Sequence, residues 1–118
     1  MEHPADAGVI EAICLEMITQ EELGQESRNY FEKLLLDSFV FRRVNGKTVN
    51  KEEYLDGLGP QGRVFVPPGV DVINFGDMAV ASLVIGIGEA KYRNIRIFIR
   101  DNDGDWKLQM WCNSMESK

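Results

Sequence analysis

Histidine is nearly missing from these 118 residues, cysteine is scarce, and basic residues are outnumbered by acids. The single histidine, His3, sits in a terminal segment of the kind that frays, so no histidine-based proton shuttle or metal site can be assembled around it. Two cysteines, Cys14 and Cys112, are too few for a disulfide framework. Both fall in apolar faces, where a reduced core thiol is the ordinary reading. Thirteen Lys and Arg against nineteen Asp and Glu leave a net charge of −6, which disfavours a phosphate-backbone partner, because nucleic-acid affinity rests on cations neutralising phosphates. No apolar run is long enough to span a bilayer. The start Met1-Glu2-His3-Pro4 carries no basic segment followed by an apolar one. The expectation is a cytoplasmic protein with no membrane and no nucleic-acid partner.

The hydrophobic fraction of 44% is ordinary for a globular chain, and the length fits one domain, residues 1–118, able to bury a core without staples. Ile10, Ile13, Cys14 and Met17 recur at helical spacing, widened by Val9 and Ile18, and predict a first helix over 6–22 with Glu11, Glu16, Gln20 and Glu21 on the wet side. Ser27 is placed as the cap of a second helix over 28–36, which buries Tyr30, Phe31, Leu34 and Leu35. Asn45-Gly46 after Phe39-Val40-Phe41 reads as a type I′ hairpin turn. Asn50 and Glu53 form a capping-box pair opening a third helix over 51–58.

Beyond Arg63 the chain is strand and turn. Val64–Val66 is broken by Pro67-Pro68-Gly69, and Val70–Phe75 follows. The strand 78–88 is apolar at both parities: Ala79, Ala81, Leu83 and Ile85 on one side, Val80 and Val84 on the other. Such a strand is covered on both faces. One face meets the helices, so the other calls for a partner. Strand 92–100 alternates Ile95, Ile97 and Ile99 against Arg96, Phe98 and Arg100. The last strand, 106–113, sets Trp106, Leu108, Met110 and Cys112 on the face assigned to the core. Helices first and an antiparallel meander after them make the class α+β.

The ending Ile97-Phe98-Ile99-Arg100-Asp101-Asn102-Asp103-Gly104-Asp105-Trp106-Lys107-Leu108 and the segment Leu34-Leu35-Leu36-Asp37-Ser38-Phe39-Val40 before a glycine turn resemble the nuclear transport factor 2-like superfamily. The resemblance covers nearly the whole chain. Members of that superfamily include SnoaL-type polyketide cyclases, ketosteroid isomerases and the association domain of calmodulin-dependent kinase II. It implies a curved antiparallel sheet wrapped as a cone around three N-terminal helices, with a pocket at the wide end and a homodimer through the outer sheet face.

The catalytic sets of those relatives are not matched. The strand before Gly46 offers Phe41, Arg42 and Arg43 where ketosteroid isomerases place a carboxylate base, and an arginine stays protonated. The first helix has no tyrosine. Cys112 stands where cyclases often carry a histidine. Asp37, at the junction of second helix and first strand, is the acidic candidate, with Tyr30 and Tyr54 as hydroxyl partners. Asp101-Asn102-Asp103-Gly104-Asp105 lacks the glycine and glutamate spacing of a calcium loop and reads as a turn. Gly86-Ile87-Gly88 lacks the rest of a dinucleotide loop and reads as a bend in a curved sheet. Arg42, Arg43, Arg96 and Arg100 read as a solvated face, against the alternative that they gather around an anion or pair with acids across a dimer. The predicted inner face sets Phe39, Phe41, Ile97, Met110 and Cys112 opposite Met17, Tyr30 and Tyr54, enclosing an apolar pocket with no metal or cofactor. The reading favours a dimeric domain that binds a small hydrophobic molecule or serves as an assembly module. The alternative is an isomerase, dehydratase or cyclase acting on a small hydrophobic substrate through Asp37 and a tyrosine.

Overall fold

Pro4 to Glu22 form α1, and a single 3₁₀ turn over Gly24–Ser27 leads into α2 (Arg28–Leu34). Then come β1 (Leu35–Arg42), β2 (Thr48–Asn50), α3 (Lys51–Asp56), β3 (Arg63–Asn74), β4 (Met78–Ile87), β5 (Ala90–Arg100) and β6 (Trp106–Met115). This is a computed structural model, and it describes residues 4–116; His3 lies outside them.

The class is α+β, as the pattern required. The strands form one open six-stranded sheet in the order β2-β1-β6-β5-β4-β3. Its pairings are antiparallel apart from β1 and β6, which run parallel, so the sheet is mixed. The helices cover one face. On α1, Ile10, Cys14 and Met17 are fully buried, because their spacing puts them on one side of a 3.6-residue helix. Val9, read as part of that stripe, is exposed. The third helix is capped as predicted: the Asn50 side chain accepts from the Glu53 N–H, and the Glu53 carboxylate accepts from the Asn50 N–H.

Several local expectations shift. Leu35 leaves the second helix because its backbone pairs with Leu108 in the sheet. Ser27 does not cap α2; its hydroxyl turns back to donate to the Gly24 carbonyl at 2.8 Å. The β1–β2 hairpin is present, but Gly46 alone takes a positive φ, of 85°. Asn45 stays at negative φ, so the turn is not type I′, which needs both residues left-handed. Val64–Val66 and residues 70–74 belong to one strand, which ends before Phe75 and whose register shifts between Val66 and Asp71, where Pro67-Pro68-Gly69 interrupts the ladder.

The larger correction concerns which face of the sheet points inward. On β4 the helix-facing residues are Ala79, Ala81, Leu83 and Ile85, as expected. On β5 the inner set is Asn94, Arg96 and Phe98, all buried, and Ile95, Ile97 and Ile99 lie on the opposite, outer face. On β6, Trp106 and Leu108 face the core. Gln109 is then an extra residue: Ile97 pairs with Met110 and Phe98 with Leu108. A bulge of this kind inverts the alternation beyond it, so Trp111 turns inward while Met110 and Cys112 join the outer face. Gly86 owes its place to the close approach of β3, since a Cβ there would stand 3.1 Å from the Val64 Cγ2.

Candidate functional site

The inner face does not close completely on the helices. At the end of the sheet that carries the β4–β5 turn, a pocket of about 480 Å³ opens between the ends of α1 and α3 and strands β1, β4, β5 and β6. Its wall is mixed rather than apolar. Phe41, Ile85, Ile87 and Trp111 supply the greasy part, with Glu21, Arg63, Asn94, Arg96 and Asn113 among the polar residues beside them. The expected apolar lining fails because the inward residues of β5 are Asn94 and Arg96, not isoleucines.

Arg96 is fully buried. Its guanidinium carbon lies 4.1 Å over the Trp111 ring, its Nη2 donates to the Asn94 Oδ1 at 2.9 Å, and its Nη1 reaches the Cys14 carbonyl and the Met17 sulfur, each at 3.5 Å. Asn94 Oδ1 also accepts from the Trp111 indole N–H at 2.9 Å, which locks the ring under the cation. The Arg96 Nε has no partner. No carboxylate among the described residues lies within ion-pair distance of this guanidinium.

Glu21 is buried too, although its charge suggested the wet side of α1. The stripe Ile10, Cys14, Met17 continues by one more turn to Glu21. Its Oε2 accepts from the Tyr54 hydroxyl at 3.1 Å and lies 3.4 Å from the Arg63 Nε, while its Oε1 has no partner. Burial pushes the Glu21 carboxyl above its ordinary range, and the pull of Arg63, Arg96 and the Tyr54 hydroxyl does not cancel it. The Tyr54 hydroxyl is raised well above its usual value, by burial first and then by Glu21. Next to them Glu22 accepts from the backbone N–H groups of Gln61 and Gly62 and pairs with Arg63. Partial burial works against the ionised form of Glu22, but those donors and Arg63 outweigh it and hold its carboxyl below the usual range.

A raised carboxyl pKa has a definite stability signature. Glu21 contributes most to folding below its unfolded value, about pH 4.3, and the contribution is lost as pH rises through the higher folded value. Glu21→Gln keeps the shape without the charge. Thermal denaturation across pH 5–9 is expected to show the variant gaining on the wild type as pH rises. A difference that stays constant with pH would mean that Glu21 titrates normally.

The other sequence candidates disperse. Asp37 projects into solvent at full side-chain exposure, 3.4 Å from the Lys51 Nζ, so no pocket chemistry passes through it. Tyr30 is half-buried with its ring edge-on to Phe31 at 5.0 Å, outside the pocket lining, and burial above all lifts its hydroxyl to about 12. Phe39 and Met17 are core residues. Phe41 does line the pocket, stacked on Trp111 at 4.9 Å, and Tyr54 stands beside it at 5.7 Å. Ile97, Met110 and Cys112 are on the outer face and line nothing. The four arginines do not cluster: Arg96 is buried, Arg43 sits at the pocket rim, Arg42 is exposed, and Arg100 pairs with Asp6 and Asp77. The acidic run at 101–105 is the β5–β6 hairpin turn, closed by the Asp101 N–H on the Asp105 carbonyl.

No protein-family model matches the chain, and no curated protein matches it. Solved structures do. An NTF2-like protein from Cytophaga hutchinsonii aligns with a TM-score of 0.77 at 21% identity, over 98% of this chain and 100% of that one. The chain has the NTF2-like fold. A candidate Ca/calmodulin-dependent kinase II association domain from Exiguobacterium sibiricum aligns at 0.72 and 18%, over 100% and 98%. A candidate ketosteroid isomerase from Parabacteroides distasonis aligns at 0.67 and 16%, over 90% and 86%. Within this NTF2-like fold, the pocket residues that the sequence does not single out are Glu21, Arg63, Asn94 and Trp111, and Arg96 is named only as one of four arginines on a solvated face or around an anion. Two signals pointed to them: the α1 stripe reaching Glu21, and the strict alternation that puts Asn94 and Arg96 on the face of Phe98.

Proposed function

We propose that this chain is a dimeric ligand-binding domain whose pocket takes a small amphipathic molecule, its apolar body against Phe41, Ile85 and Ile87 and a carboxylate against Arg96. The observation that carries the reading is the Arg96 guanidinium: buried in a residue that borders the pocket, unpaired by any acid, and with an Nε that has no hydrogen-bond partner. A buried charge without a counter-ion is costly, and guanidinium–carboxylate contacts are among the stronger charge-assisted hydrogen bonds. A pocket of about 480 Å³ has room for a small aromatic acid.

Titration calorimetry with phenylacetate, 3-phenylpropanoate and indole-3-acetate, each beside its neutral amide, tests this. The carboxylates are expected to bind at least about tenfold more tightly than the amides, a gap of about 1.4 kcal/mol. Equal affinities, or no binding, would remove the anion from the reading.

The dimer is proposed through the outer sheet face. There Ile73, Val80, Ile97, Met110 and Val40 lie directly across from one another on five successive strands. An apolar row spanning a sheet marks an association surface, and a second copy brings the same row to it across a two-fold axis. Sedimentation equilibrium at micromolar concentration is expected to give a dimer, and Ile97→Lys a folded monomer. A monomeric wild type would contradict it.

A further inference from the structure

We propose that anion binding at Arg96 is coupled to proton uptake by Glu21, so that the pocket takes a carboxylate and a proton together. This deepens the ligand-binding reading and rests on it.

Glu21 faces Glu22 on its own helix, Tyr54 from α3, Arg63 from β3 and Arg96 from β5, with Tyr30 of α2 close enough to feel its charge. Both tyrosines keep their protons through the neutral range, since burial raises them. Glu22 is held ionised by the Gln61 and Gly62 N–H groups and by Arg63. With Glu21 ionised, two arginines face two carboxylates and the cluster is neutral. An incoming carboxylate at Arg96 adds one negative charge beside buried Glu21, where like charges repel more strongly than in bulk water. The group best placed to remove it is Glu21. It is already biased toward its neutral form by burial, and its Oε1 lies buried without a hydrogen-bond partner in a residue that lines the pocket. A proton on that oxygen turns it from an orphaned acceptor into a donor. Arg43 at the rim is exposed and contributes a screened charge only.

Linkage then fixes the pH dependence. Between the Glu21 pKa of the empty pocket and its higher value in the occupied one, affinity falls about tenfold per pH unit. The ligand's own carboxyl, ionised well below that window, does not contribute.

The same three carboxylates serve as probes, titrated into the wild-type protein in HEPES and in Tris, whose ionisation enthalpies differ. The expected result is a buffer-dependent heat equivalent to the uptake of up to one proton per ligand, an affinity that declines with pH, and loss of both effects in Glu21→Gln. Carboxylate binding with buffer-independent heat overturns the coupling and leaves the binding reading intact. A Glu21→Gln protein that keeps the wild-type pH slope assigns the proton elsewhere and also overturns it. Failure of all three carboxylates to bind removes the binding reading and this inference with it. The buffer comparison uses the wild type alone, so it stands even if the variant does not fold.

Discussion

Arg96→Met is expected to weaken binding of the aromatic carboxylates by about 30-fold or more, corresponding to 2 kcal/mol or above, while the protein unfolds no more readily than wild type. The two halves of this result come from one fact. The guanidinium is fully buried and has no carboxylate partner within reach, so it carries a desolvation cost that no ion pair offsets. Methionine fills similar volume, can lie against the Trp111 ring, and leaves Asn94 Oδ1 its indole donor at 2.9 Å. Replacement of a buried charge by an apolar side chain of similar size is often neutral or stabilising. A purely structural arginine would show the reverse pattern: lower Tm and unchanged affinity. Calorimetric titration and thermal denaturation of the same sample separate the two, and a Met variant that binds as tightly as wild type would refute the pocket assignment.

Trp111→Ala is expected to cost about 3–5 kcal/mol, the scale for losing a large buried aromatic, with a fall in Tm on the order of 10–25 °C. Trp111 is buried, stacked on Phe41 and under the Arg96 guanidinium. Deleting Gln109, by contrast, is expected to cost under about 1.5 kcal/mol. Gln109 is the extra residue of the β6 bulge. Without it Met110 follows Leu108 directly, the Phe98–Leu108 and Ile97–Met110 pairs become neighbours in a regular ladder, and every side chain of 110–115 keeps its face. What is lost is the pair of side-chain bonds to Ser38 at 3.0 and 3.1 Å. Urea denaturation of the two proteins gives the comparison. A Gln109 deletion as damaging as Trp111→Ala would mean that the extra residue itself holds Trp111 in the core.

That bulge also explains where the sequence could be read and where it could not. The third helix was legible because Asn50 and Glu53 carry their own signal within four residues. β4 was legible because its small and branched residues alternate without interruption. The element order followed from such local features, and the NTF2-like architecture from the resemblance carried by residues 34–40 and 97–108. The facing of β5 and β6 did not. Isoleucines at 95, 97 and 99 look more like a core than Asn94, Arg96 and Phe98 do, and hydrophobicity alone does not say which of two faces carrying apolar residues meets the helices. On β6 nothing in the letters around Gln109 announces an extra residue, so a correct start at Trp106 and Leu108 led to the wrong side for Met110 and Cys112. Asn94, Arg96 and Trp111 lie on the strands whose facing was misjudged, which is why Trp111 escaped notice and Arg96 was read as part of a solvated face, while Asp37, conspicuous as a lone acid at a junction, drew attention it did not merit. Glu21 was hidden differently: its position on the α1 stripe was visible, but its charge argued for water.

The parallel pairing of β1 with β6 has a consequence for how the molecule is made. Residues 35–42 emerge early from the ribosome, yet the neighbour that holds them at the middle of the sheet is the last strand, residues 106–115. Until that strand is synthesised, β1 and β2 can form only an isolated hairpin, too small to persist in water. The β3–β4–β5 meander, whose pairings are between successive segments, can form before it. Assembly of the β1–β2 edge therefore waits for β6 to join it to the meander, a long-range closure that makes folding slower than in a chain of local contacts.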